Sequence, residues 1–304
     1  MVSVCIPAYN EAETITAVLD SLRGQEGVSI EEVRVCANGC SDATAELVRL
    51  AGADRPELIL LERSWKSKAK AWNELRRASR GEILIFVDGD VYLPAHTVAA
   101  LVRELLDEPE LIAVTAQPMP KRAKKSGLDR LIALPSDPQP PKGLCGGCYA
   151  VRSEALTRRL AAWGYSEMPE DVIAEDRWLS ELIGPGRWRH MPEAPVYYVY
   201  PALRDMPAQM KRHMRARLQF RFHYPRMYRA SLERALPRLS AILREWRNRE
   251  NMGAFLRRIV TALLLRAIHL YARLAVLYTP RPLRFRAWDR TPSTKRKVSA
   301  LEPA

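Results

Sequence analysis

Two carboxylates flank a glycine directly after an apolar run: Ile83-Leu84-Ile85-Phe86-Val87 is followed by Asp88-Gly89-Asp90. The glycine permits a tight turn, and the paired carboxylates can face one hard divalent cation. Mg2+ or Mn2+ binds few carboxylates and completes its shell with phosphate oxygens and water. The pattern therefore points to a metal-bridged diphosphate; the alternative is a capped turn ahead of a helix near 96. A second acidic pair, Glu175-Asp176, lies in a stretch of helical period over 170–183. At about 100° per residue, Val172, Asp176, Leu179 and Ile183 share one narrow face, with Glu175 at its edge. Glu170, Arg177 and Glu181 fall opposite, as solvated residues should. A carboxylate in an apolar stripe is costly unless it is paired or at work. Asp176 is thus the expected inward acid, with Glu175 as second candidate.

The elements that must position these groups alternate. Apolar runs at 2–6, 33–37, 58–61, 83–87 and 111–116 read as buried strands, and stretches near 11–23, 42–51, 66–79 and 96–107 have helical length and period. Such alternation predicts a Rossmann-like sheet flanked by helices, with ligands at the carboxyl ends of its strands. Asn10 and Glu13 have capping-box spacing, and Ser41 or Asp42 can cap the second helix. The stretch 117–147, with a basic knot (Lys121, Arg122, Lys124, Lys125) and a Pro-rich run, reads as a long functional loop. A strand at 149–151, a helix from Ser153, a helix over 170–183 and a strand at 195–200 follow. Beyond 203 the pattern is helical, and 291–304 is expected to be disordered.

In this order the motifs resemble those of family 2 glycosyltransferases with the GT-A fold. Ile6-Pro7-Ala8-Tyr9-Asn10-Glu11 is similar to their opening strand and turn. Ala37-Asn38-Gly39-Cys40-Ser41-Asp42 is similar to the end of their second strand, and Ser67-Lys68-Ala69-Lys70-Ala71-Trp72-Asn73 to the segment before the fourth. Asp88-Gly89-Asp90 takes the place of the DXD motif, and Glu175-Asp176-Arg177-Trp178-Leu179 that of the E-D-x-x-L motif. The resemblance covers about residues 1–200. It implies a mixed GT-A sheet with a nucleotide-sugar half at about 1–116 and an acceptor half at about 117–200. A basic helical extension over 201–290 would follow.

The resemblance also implies roles. Pro7, Ala8, Tyr9 and Glu11 would line the nucleotide pocket, with Asn38 near the base, where relatives often have aspartate. Lys68 would approach the donor diphosphate. Asp90 would hold Mn2+ or Mg2+ most directly, with Asp88 nearer the ribose or sugar and Gly89 between them. Asp176 would be the general base of an inverting transfer from a UDP-, GDP- or dTDP-linked sugar to an acceptor hydroxyl. Gln209-x-x-Arg212 resembles part of a Q-x-x-R-W motif, with His213 in place of Trp, and Arg212 or Arg215 could close over the diphosphate. A sugar-phosphate nucleotidyltransferase would need a Gly-rich phosphate loop after the first strand, where PAYNE stands instead.

Composition narrows the setting. The 304 residues carry a formal net charge of +13 and are 47% hydrophobic, enough for a core. From position 201 onward there are 24 Lys and Arg against 6 Asp and Glu; before it, 24 against 29. The basic character belongs to the last third, which argues against a nucleic-acid-binding protein basic over its whole surface. No nucleic-acid partner is expected. The five cysteines are an odd number for a disulfide scaffold, and no signal peptide is evident, so a reducing cytoplasm is expected. Cys36, Cys40, Cys145 and Cys148 have spacings that could bind zinc, but ordinary thiols are the expectation. In 254–278, Arg258, Arg266, His269 and Arg273 share a stripe within about 80° and the remaining surface is apolar. This helix is expected to lie on the inner face of an anionic membrane or to pack on protein, since spanning would bury two central arginines.

Overall fold

The computed structural model describes residues 1–121, 140–228 and 252–279. Arg122, Lys124, Lys125 and the tail 291–304 lie outside the described residues. The strands are β1 (Val2–Ala8), β2 (Glu32–Asn38), β3 (Leu58–Arg63), β4 (Ile83–Val87), β5 (Val91–Tyr92), β6 (Ala113–Lys121), β7 (Cys148–Arg152) and β8 (Trp188–Val199). The helices are α1 (Ile15–Arg23), α2 (Thr44–Ala51), α3 (Lys68–Ala78), α4 (Thr97–Asp107), α5 (Ser153–Ala162), α6 (Glu175–Ile183), α7 (Met206–His223) and α8 (Met252–Leu277).

The eight strands form one mixed sheet in the order β3-β2-β1-β4-β7-β6-β8-β5. The β3-β2-β1-β4 half is parallel; β7 runs antiparallel to β4 and β6, and β8 is parallel to β6. Apolar strands such as β1 are buried on both faces, which is why they read as unbroken runs rather than alternations. On one face Val4 and Ile6 pack with α1, α2 and α4 through Leu19, Val48 and Leu101. On the other, Cys5 and Phe86 pack with α3, α5, α6 and α7 through Trp72, Leu160, Trp178 and Phe220. The parallel order brings the carboxyl ends of β1, β2 and β4 together, so Ala8, Asn38 and Asp88 emerge at one rim.

Three local expectations are corrected. Asn10 does not open a capping box: it takes a left-handed φ of 54° and exchanges hydrogen bonds with Ser41. Residues 11–14 form a turn in which the Glu11 carbonyl accepts from Thr14 and Ile15, and α1 starts only at Ile15. Asp42 does satisfy the first turn of α2, accepting from the Thr44 N–H at 3.1 Å. The expected loop over 117–147 is strand as far as Lys121. Gln117–Lys121 pair with Pro195–Val199 after a register shift at Ala116/Gln117. Prolines at 118 and 120 had hidden this strand, because proline is depleted in strands.

The third correction concerns α6, which begins at Glu175 rather than 170. Val172 sits in the preceding turn, its N–H bonded to the Pro169 carbonyl. Glu175 and Glu181 are buried, while Asp176 is half-buried. The face expected to meet solvent is covered by α7: the Arg177 guanidinium lies 5.0 Å from the Phe220 ring and reaches Glu181 at 3.5 Å. The start of the basic extension thus belongs to the core of the catalytic body. α8 packs in turn on α7, burying Phe255, Ala262, Ala272 and Val276. Its opposite face exposes Leu256, Val260, Leu263, Leu270, Leu274 and Leu277. Phe255–Leu277, with mean hydropathy 1.6, is long and apolar enough to cross a membrane by length and composition.

Candidate active site

The rim is built from backbone outward. Asn38, at the end of β2, is fully buried. Its amide donates to the Ala8 carbonyl at 2.7 Å, and its oxygen accepts from the Ser67 N–H at 3.1 Å. Asn38 therefore ties β1, β2 and the entry to α3 together, and its side chain is engaged with backbone. Ser67 caps α3 by accepting from the Lys70 N–H, which sets Lys68 in the first turn facing the rim. Tyr9 is half-buried, with the Lys66 ammonium 4.1 Å from its ring centre.

Glu11 is buried beneath the acidic turn. The Thr14 hydroxyl donates to the Gly89 carbonyl at 2.6 Å and lies 3.1 Å from the Glu11 carboxylate. A Cβ at position 89 would come within 2.8 Å of Glu11 Cγ, so this close approach requires glycine. Asp88 and Asp90 stand on either side of that contact, between β4 and β5.

Lys68 was expected to approach a diphosphate. Its ammonium lies 2.7 Å from Asp88 Oδ1 and also pairs with Glu175. Burial works against its charge, yet the two carboxylates raise its pKa above the ordinary lysine value. Asp88 is shifted upward by burial and by the neighbouring Asp90 and Glu175, with Lys68 opposing. Glu175, read from the helical wheel as an edge residue, is therefore the inward, ion-paired member of its pair. A helical wheel cannot reveal a partner lying 107 positions earlier in the chain.

Pro7, Lys68, Asp88, Gly146, Tyr149 and Glu175 line one small cleft. Asp176 borders it: a Cβ on Gly146 would lie 3.2 Å from Asp176 Oδ2, and Asp176 Oδ1 accepts from the Arg177 N–H. The floor is the stack Trp72–Phe86–Tyr149, with centroids 5.0 and 5.4 Å apart, and Trp72 Nε1 donates to the Tyr149 hydroxyl. Burial pushes the Tyr149 phenol well up, and the carboxylates of Glu175, Asp176 and Asp88 around it add to the shift. Burial likewise raises the Cys145 thiol to about 11, with Asp176 and Asp88 contributing. Asp88 of the DXD turn and Glu175 of the E-D pair, 87 residues apart in sequence, thus line one cleft, with Asp176 beside its Gly146 wall. Arg212 lies half-buried on α7. Tyr149 and Lys66 belong to this surface without having been singled out in the sequence; both are adjacent to quoted segments.

Among the described residues, no group of three or more His, Cys, Asp or Glu side chains is arranged to hold a metal ion. Asp88 and Asp90 are two hard oxygen donors on a tight turn; burial shifts Asp88 toward its neutral form, and the neighbouring Asp90 charge adds to the shift. That donor set suits Mg2+ or Mn2+, which need only one or two carboxylates when phosphates supply the remaining oxygens.

Comparison with known proteins agrees with this architecture. A mannosyltransferase from Pyrobaculum calidifontis, solved in complex with GDP-Man and Mn2+, superposes with a TM-score of 0.62 at 23% identity, covering 91% of this chain and 87% of that one. TarS of S. aureus in complex with UDP gives a TM-score of 0.52 at 16% identity, over 90% and 91%. These likenesses show the GT-A fold. An N-acetylglucosaminyltransferase of Rhizobium sp. (strain N33) is 28% identical over 221 residues, 66% of this chain and 48% of the relative. An uncharacterized glycosyltransferase of Bacillus subtilis is 34% identical over 110 residues, 36% of this chain and 28% of the relative. The match thus spans less than half the length of these two curated relatives. Residues 3–158, more than half of the chain, match the family described as glycosyl transferase family 2, and the chain belongs to that family.

Proposed function

We propose that this protein transfers a hexosyl group from a nucleoside diphosphate sugar to an acceptor hydroxyl, with inversion at the anomeric carbon. The observation that carries the reading is the meeting of Asp88 and Glu175 at one cleft, with Asp176 beside its Gly146 wall. The Pyrobaculum neighbour's GDP-Man and Mn2+ and the TarS neighbour's UDP support a nucleotide-sugar donor. The choice among UDP, GDP and dTDP stays open at Asn38, whose amide is engaged with backbone.

Asp176 takes the proton of the acceptor hydroxyl, and the oxygen attacks the anomeric carbon from the face opposite the diphosphate. The bond from that carbon to the diphosphate oxygen breaks, and the electron pair leaves with the nucleotide. One displacement inverts the centre. Lys68 holds Glu175 in an ion pair, which favours Asp176 as the acid left to serve as base. Asp90, with Asp88, would hold Mn2+ or Mg2+, which when bound offsets the charge growing on the departing diphosphate. Tyr9, with Pro7, Ala8 and Glu11, shapes the donor side at the end of β1, and Arg212 on α7 is placed in the extension that would close over it.

The protein is further proposed to work in the cytoplasm with α8 lying on an anionic membrane surface, its leucine face toward the acyl chains. Asp176→Asn tests the chemistry. Transfer should fall at least ~100-fold, the scale of losing a general base, while donor affinity stays unchanged. Asp90→Ala should weaken both transfer and donor binding. An Asp176→Asn variant with full activity removes Asp176 as base.

A further inference from the structure

Segment 166–174, which leads into α6, carries backbone groups that need partners once buried. Two buried carboxamides supply them from opposite sides. Asn73 of α3 donates to the Met168 carbonyl at 2.8 Å and accepts from the Met168 N–H at 3.0 Å. Gln219 of α7, fully buried, donates to the Asp171 carbonyl at 2.7 Å and accepts from the Ile173 N–H at 3.1 Å. The orientation of the Gln219 amide follows from these partners: only its oxygen can accept from an N–H, and only its nitrogen can donate to a carbonyl. Asn73 belongs to a recognised motif; Gln219 belongs to none.

Ile173 is three residues before Asp176, separated from the first turn of α6 by Ala174 alone. The end of α7 and the residue that follows it contact both sides of that turn. The Tyr224 hydroxyl donates to Asp171 Oδ1 at 3.0 Å, and the Phe220 ring lies under the Arg177 guanidinium. A planar carboxamide making two bonds to residues two apart fixes both the height and the direction of the chain entering α6.

We infer that Gln219 is a positioning residue for transfer, holding the entry to α6 so that Asp176 stays beside Gly146 at the cleft. This rests on Asp176 being the base. The hydrogen bonds of Gln219 go to Asp171 and Ile173, not to the donor side at the ends of β1, β2 and β4. Loss of Gln219 should therefore slow the chemical step without loosening the donor.

The test compares the full-length protein with Gln219→Met, Tyr224→Phe and Asp176→Asn. Each is assayed with Mn2+ and whichever of GDP-mannose or UDP-N-acetylglucosamine the wild type turns over. Gln219→Met keeps the volume and removes both main-chain bonds and the 3.3 Å contact of the amide with Asp171 Oδ2; kcat should fall on the order of 10- to 100-fold, as for a small misplacement of a reacting group. Its donor Kd should stay within about twofold. A purely structural role would not produce this split. Wild-type kcat in a folded Gln219→Met, or donor affinity falling in step with kcat, overturns the inference. If Gln219→Met does not fold, Tyr224→Phe carries the test: a smaller loss of kcat at unchanged Kd supports the inference, and wild-type kcat overturns it. An active Asp176→Asn overturns the base assignment and this inference with it, whereas an inactive Asp176→Asn beside a fully active Gln219→Met sinks the positioning role alone.

Discussion

At Lys68 one ammonium faces two carboxylates, Asp88 and Glu175, brought from the ends of β4 and the start of α6. A second buried ionic group, at the opposite end of the sheet, has a different consequence. Glu32 accepts from the Ser3 hydroxyl, from the Arg80 N–H at 2.6 Å and from Arg34, with Arg34 and Glu32 both buried. Burial opposes the charge of Glu32, but these hydrogen bonds and the Arg34 charge hold its pKa below the ordinary value of 4.5. A depressed carboxyl pKa stabilises the fold fully above the unfolded value and loses that contribution as pH falls through the folded one. Glu32→Gln should therefore cost about 2–4 kcal/mol at pH 7, the range for breaking a buried ionic hydrogen-bonded pair. The gap between variant and wild type should hold from pH 8 to about 5 and narrow below it. Urea unfolding at pH 7 and pH 4 measures both, and a gap that widens in acid contradicts the assignment.

At the scale of elements, α8 shows how a cationic stripe and an apolar face divide a helix. Arg258, Arg266 and His269 are half-buried on the side toward α7, while Leu263 and Leu270 are exposed on the other side. Burial and the nearby Arg217 and Arg273 charges lower the His269 pKa, so the stripe already carries mutual repulsion. No acidic residue lies within 252–279, so a second copy of this helix would bring like charges together, whereas an anionic bilayer offsets them. Replacing Leu263 and Leu270 with Asp should reduce co-sedimentation with vesicles containing phosphatidylglycerol by more than ~100-fold, since each buried leucine contributes about 1.5–3 kcal/mol. Wild-type binding should weaken in high salt. Equal sedimentation of variant and wild type would show that this face does not meet lipid.

For the whole molecule, the proposed donor couples β1, β2 and β4 through bound phosphate and metal, so ligand should stabilise the fold as a unit. At donor concentrations about 100 times Kd the gain is about 2.7 kcal/mol. For a chain of 304 residues that shifts Tm by roughly 4 °C. In a panel of UDP-, GDP- and dTDP-sugars with and without Mn2+, the true donor should give this shift only with the cation, and EDTA should abolish it. A donor that stabilises equally in EDTA would argue against metal-bridged binding.

The first half of the sheet was legible because double burial leaves apolar runs of strand length between helical periods. The motif residues were legible because they fall at strand ends, where parallel order gathers them. The second half of β6, 117–121, was hidden by Pro118 and Pro120, whose pairing with β8 depends on a distant partner strand. Asn10 was read as a cap because spacing alone does not report a left-handed φ.

The amino-acid order alone singled out the acids Asp88, Asp90 and Asp176 as candidates, from local pattern and motif order. Only the tertiary structure decided which member of the Glu175-Asp176 pair faces inward. That choice depends on Lys68 from α3 and on α7 covering the side of α6 that its period assigns to water. Periodicity records how many faces of a helix are apolar; it does not record a buried charge whose partner arrives from another element.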